Sequence, residues 1–82
     1  MTRELIGSAI DEFEKNTAFT ATVTYDDIYS PVIFRVINSD GVIMADMQSE
    51  LVTLYNKYTE LADLKQIVDF FNNIDEILEN YS

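Results

Sequence analysis

The chain has 82 residues, with 15 acidic side chains against 5 basic ones and no His, for a formal net charge of −10. A chain of this length buries only roughly 60% of its unfolded surface on folding, which supports one modest core and excludes a second lobe or a deep cofactor cleft. Its apolar content of 48%, against 24% charged residues, is that of a sequence able to collapse and fold.

The first element is a helix over residues 3–15, because Leu5, Ile6, Ala9, Ile10 and Phe13 repeat along one face. Thr2 is its expected N-cap, and Asn16-Thr17 ends it. The period then changes to two: Phe19, Ala21, Val23 and Tyr25 alternate with Thr20, Thr22 and Thr24, a strand signature. Asp26-Asp27 and Ser30-Pro31 mark a connection. A second strand is expected at 32–37 and a third at 42–47, joined by the Asn38-Ser39-Asp40-Gly41 turn in which Gly41 supplies a positive φ.

The remainder reads as helical. Leu51, Leu54, Tyr55, Tyr58, Leu61 and Ala62 make one stripe, and Ile67, Phe70, Phe71, Ile74, Ile77, Leu78 and Tyr81 make another. Leu64 breaks the first stripe, and Asp63 with Gln66 has capping-box spacing, so two helices are predicted, over 50–62 and 64–81. Asn72-Asn73 falls on the polar face of the second and does not split it. The expected fold is therefore α+β, a single domain of order α-β-β-β-α-α, with a three-stranded antiparallel meander packed on one face by helices.

Residue types narrow the chemistry. Without His or Cys there is no imidazole base, thiol nucleophile or zinc ligand set, and Gly7 and Gly41 are too few for a phosphate-cradling loop. No catalytic, cofactor or metal site is expected. The longest apolar run, Val32-Ile33-Phe34, is far too short to span a membrane, and a cytoplasmic protein is expected. A strongly negative chain repels nucleic acid and anionic lipid and attracts basic partners.

The acids are spread along the chain. Arg3 and Lys15 face four of them in residues 1–16, and Lys57 with Lys65 faces six in 51–82. Most of these fall on polar helix faces, as solvation requires. Asp26, Asp27, Asp40, Asp46 and Glu50, opposed by Arg35 alone, come instead from loops and strand ends, where no helical periodicity accounts for them. They are the candidate contacts for a basic protein partner. A second candidate surface is the outer face of the sheet, where Ile33, Arg35 and Ile37 lie beside Thr20, Thr22 and Thr24, with Val42 and Met44 adding to it. Such a face suits a homodimer, in which case the acidity serves solubility.

Size, element order, acidity and the hairpin at 33–41 (Ile-Phe-Arg-Val-Ile-Asn-Ser-Asp-Gly) resemble those of small phage anti-CRISPR proteins of the type II-A class. The resemblance implies an inhibitor that imitates duplex DNA with carboxylates and occupies the motif-reading DNA site of a Cas9 nuclease. It also implies a protein acting in the host cytoplasm, without an enzymatic activity of its own.

Overall fold

The computed structural model describes residues 2–26 and 30–81. Its elements are α1 (Thr2–Asn16), β1 (Thr20–Tyr25), β2 (Pro31–Ile37), β3 (Ile43–Gln48), β4 (Leu51–Leu54) and α2 (Leu61–Tyr81). The four strands form one antiparallel meander in the order β1-β2-β3-β4. The chain is thus α+β, as the patterning predicts, with four strands rather than three and two helices rather than three among the described residues.

The difference lies in residues 50–62, which do not form a helix. Ser49 and Glu50 both adopt left-handed backbone conformations, with φ of 50° and 69°. Two consecutive left-handed residues make the tight hairpin turn that matches strand twist, and they reverse the chain onto β3. Gln48 then pairs with Leu51, Met47 with Val52, Asp46 with Thr53 and Ala45 with Leu54. The run Leu51-Val52-Thr53-Leu54 is short, apolar and partly β-branched, so it fits either period, and the turn decides in favour of the strand. Asn56 stops the strand: its side-chain oxygen accepts the Tyr58 N–H at 2.9 Å, and its carbonyl accepts the Thr59 N–H at 3.1 Å.

α2 begins at Leu61, where the Leu64 N–H reaches the Glu60 carbonyl at 2.9 Å. Asp63 therefore sits in the first helical turn, where its charge favours the positive end of the helix dipole, and is not an N-cap. The helix runs through Asn72-Asn73 without interruption. Nor is Thr2 an N-cap, because it already lies within α1; its hydroxyl donates to the carbonyl of Tyr81. That bond joins the start of α1 to the end of α2. The helices lie antiparallel, with Phe13 stacked on Phe70 at 4.3 Å between ring centroids and 18° between planes.

Both helices cover one face of the sheet. Ile6, Ala9 and Phe13 of α1 and Ile67, Phe70, Phe71 and Ile74 of α2 are buried against Ala21, Phe34, Val36, Ala45 and Met47, with Phe19 closing the edge. Burying an aromatic or aliphatic side chain of this size is worth about 1.5–3 kcal/mol. Met44, expected on the outer face, is instead in the core. The β2–β3 register slips between Val36 and Ile37, so Ile43 and Ala45 pair with them while Met44 bulges inward.

Tyr55, Tyr58, Leu51, Leu54 and Leu61 are all exposed, and Tyr81, assigned to the second helix face, is exposed as well. No residue of β4 is buried.

Glu50 carries a backbone cost that glycine would avoid, since a left-handed L-residue is disfavoured by roughly 1–2 kcal/mol, partly offset by the added freedom of unfolded glycine. Glu50→Gly is expected to stabilise the protein by about 0.5–1 kcal/mol, read as a higher urea midpoint. Glu50→Gln, which keeps the backbone penalty, separates this gain from any effect of removing the charge.

Candidate functional site

The sheet-end acids do not form one group. Asp40 lies in the β2–β3 turn, at the opposite end of the sheet from Asp26 and Glu50. There its N–H and that of Val42 donate to the Asn38 side-chain oxygen, each at 2.9 Å. Asp27 lies outside the described residues. Asp46 is not at a strand end. It sits mid-strand on the outer sheet face, held in a bidentate pair by Arg35, with Nε to Oδ1 at 2.8 Å and Nη2 to Oδ2 at 3.0 Å. The Tyr55 hydroxyl donates to Oδ2 at 2.7 Å.

This cluster ties three strands together. Arg35 pairs across the ladder with Asp46, and Asp46 with Thr53, so the charged pair and its Tyr55 clamp form a polar row across the sheet. Arg35 holds the Asp46 carboxyl below the ordinary carboxylate range, aided by Tyr55 against the opposing effect of burial. The same bond pushes the Tyr55 hydroxyl upward. Asp46 is thus a structural acid whose charge is already matched. Ile33 and Ile37 flank the row, half-buried like Arg35, and the outer face is less apolar than its two isoleucines suggest.

Asp26 and Glu50 do come together, and with acids that helical periodicity alone assigns to a solvated face. A groove of about 490 Å³ opens at the end of the sheet where β1 and β3 finish. Asp26, Glu50, Asp75 and Glu79 line it, over an apolar floor of Pro31, Val32, Phe34, Met47 and Leu78. Four carboxylates from three places in the chain thus meet there, with no Lys or Arg among the described residues lining it. The rotation of α2 brings Asp75 and Glu79 to the groove, because Phe70, Phe71 and Ile74 turn the adjoining face inward.

Local bonding sets the rim. Asp26 receives the Ser30 N–H on Oδ1 at 2.9 Å and donates its own N–H to the Ser30 carbonyl at 3.0 Å. Glu50 is delivered by the left-handed turn. Asp75 is the strained member: burial, and then the charges of Glu50 and Glu79, push its carboxyl above the ordinary range. Helical spacing explains why sequence alone missed it. Asp75 is one residue from the buried Ile74, so it stands at the border of the apolar stripe, and only the tertiary fold shows Glu50 opposite.

No known family, curated protein or solved structure matches this chain. The groove must therefore be read from its own chemistry. Among the described residues no three acids converge closely enough to hold a metal ion. The arrangement is one of dispersed negative charge above an apolar floor, which suits an extended cationic side chain: the methylenes cover the floor while the charged head meets the rim. No described helix is long and apolar enough to cross a membrane.

Two measurements check these assignments. The raised Asp75 carboxyl imposes a penalty that is absent below the ordinary carboxylate range and fully present above its folded pKa. Asp75→Asn is therefore expected to raise the urea midpoint at neutral pH, with the gain vanishing in acid. Asp46 has the opposite sign. Its depressed pKa contributes stability that is present above the ordinary carboxylate range and lost as pH falls through the folded value, so Asp46→Asn lowers the neutral-pH midpoint and the deficit narrows only in strong acid.

Proposed function

We propose that this chain is a non-enzymatic binding protein that uses the acidic groove to engage a basic, nucleic-acid-handling partner. It does so as a DNA mimic, in the manner of the Cas9-inhibiting anti-CRISPR proteins it resembles. The observation that carries the reading is the convergence of Glu50, Asp75 and Glu79, with Asp26 beside them, on one groove with no cation among its described lining residues. Like charges brought together on a partly dry surface repel, and the Asp75 carboxyl is raised first by burial and then by the charges of Glu50 and Glu79. A Lys or Arg entering the groove relieves it, so the free protein holds electrostatic energy that only a cationic partner recovers.

The rest of the surface supports the same choice. Asp11 and Glu12 of α1 and Glu76 of α2 are exposed on the helical layer, where they raise the long-range attraction for a positively charged surface. The groove then sets the point of contact. Because the partner is a nucleic-acid enzyme of the host, the site of action is the cytoplasm.

The test is binding to, and inhibition of DNA cleavage by, a type II-A Cas9 nuclease across a salt series. Glu50→Lys and Glu79→Lys are expected to weaken binding by roughly tenfold each, about 1.4 kcal/mol, while Asp11→Lys and Glu60→Lys change it by less than about twofold. Affinity is expected to fall steeply with added salt. Binding indifferent to salt, or equal losses from all four reversals, overturns the assignment of the groove.

A further inference from the structure

The two edges of the sheet are built differently. β1 is guarded, because the Glu14 carboxylate of α1 accepts the outward N–H of Ala21 at 3.1 Å, and Arg3 of the same helix lies 4.1 Å from the Tyr25 ring centroid. β4 has no such guard among the described residues. It is short, at four residues, but carries no charge and no Pro, two of the devices that usually blunt a strand edge, and every one of its side chains is exposed, Leu51 at 71%. The Tyr55 N–H donates inward to the Met44 carbonyl at 3.0 Å, so antiparallel alternation turns the N–H and C=O groups of Val52 and Leu54 outward.

We infer that this edge pairs with the same edge of a second copy of the chain, as an antiparallel two-fold dimer that joins the two sheets into one of eight strands. Charge selects the occupant. Each copy carries −10, so two copies repel over most of their surfaces, but residues 51–56 are uncharged and offer an approach without like charges in contact. A basic partner, by contrast, gains nothing from this strip.

The register follows from the hydrogen-bonding groups. With the two-fold axis at Thr53, Val52 of each copy faces Leu54 of the other and exchanges both backbone bonds with it, while Leu51 faces Tyr55. Every outward backbone group of Val52 and Leu54 is then satisfied, and each exposed apolar side chain meets another. Moving the axis to Val52 sets Glu50 of the turn opposite Leu54. Moving it to Leu54 sets Leu51 opposite Lys57. With the Thr53 axis residues 51–55 pair entirely among themselves, and Glu50 of the turn falls opposite Asn56 and not opposite an apolar residue of the strand. The same axis places the two Thr53 residues directly opposite at a non-hydrogen-bonded position, where Cα atoms approach to about 4.5 Å.

That geometry gives a direct test, since the chain contains no Cys. Thr53→Cys is expected to form a disulfide-linked dimer on mild oxidation, because the Cα separation lies within the range a disulfide spans. Ile33→Cys, on the outer sheet face, is expected to stay uncrosslinked. In sedimentation equilibrium the unmodified chain dimerises, and the dimer tightens as salt screens the repulsion, opposite in sign to the salt dependence of partner binding. Thr53→Lys abolishes the dimer by placing like charges across the axis, while its own Asp46 neighbour keeps the monomer folded. Val52→Pro, which removes an outward donor and no bond within the chain, does the same. A strict monomer at high concentration overturns the proposal and leaves the edge to a strand from another protein. Crosslinking through Ile33→Cys but not Thr53→Cys overturns it in favour of a dimer through the sheet face. Neither result bears on the acidic groove, whose binding is read separately.

Discussion

The stack of Phe13 on Phe70 is the contact on which the arrangement depends. It joins α1 to α2, and Phe13 in turn lies parallel to Phe19, at 6.1 Å between centroids and 9° between planes, where the chain enters β1. Fixing Phe70 fixes the rotation of α2. Phe71 and Ile74 then face the sheet, and the next residues along the border, Asp75 and Glu79, are carried to the sheet end. The acidic groove is therefore a by-product of aromatic packing about one and a half to two and a half turns away, and it has the core behind it.

The acids of this protein serve three distinct purposes. Those on the outer helix faces solvate the protein. Glu14 and Asp46 are half-buried and bonded within the chain: one covers a strand edge and the other clamps the outer sheet face through Arg35 and Tyr55. The groove carboxylates have neither role, and Asp75 among them is held against its own electrostatic preference. A net charge alone cannot distinguish these classes. Partners and burial can.

Much of the fold was legible because its signals were local. The alternation from Phe19 to Tyr25, the Asn38–Gly41 turn and the long stripe from Ile67 to Leu78 each specify an element without reference to the rest of the chain. Residues 51–58 are ambiguous in sequence because Leu51, Leu54, Tyr55 and Tyr58 satisfy a helical period, while Leu51–Leu54 form a strand. What decides between them is a turn at Ser49-Glu50 that lacks the Asn-Gly chemistry usual for its backbone. The site was legible in half. Charge and position picked out Asp26 and Glu50, but also Asp46, whose partner across the ladder depends on register. Asp75 and Glu79 could not be separated from a solvated helix face until α2 was seated on the sheet.

The bond between Thr2 and Tyr81 makes the order of elements cyclic. From α1 to β4 each element touches the next in sequence, the 55–60 segment leads on to α2, and the α1–α2 seam sets the first element beside the last. Such a fold has no privileged starting point. Linking residues 2 and 81 through a short connector and opening the chain in the 38–41 turn gives the order β3-β4-α2-α1-β1-β2, which preserves every pairing and both helices. The aromatic seam becomes a local contact in that order, and the β2–β3 ladder becomes the one long-range closure.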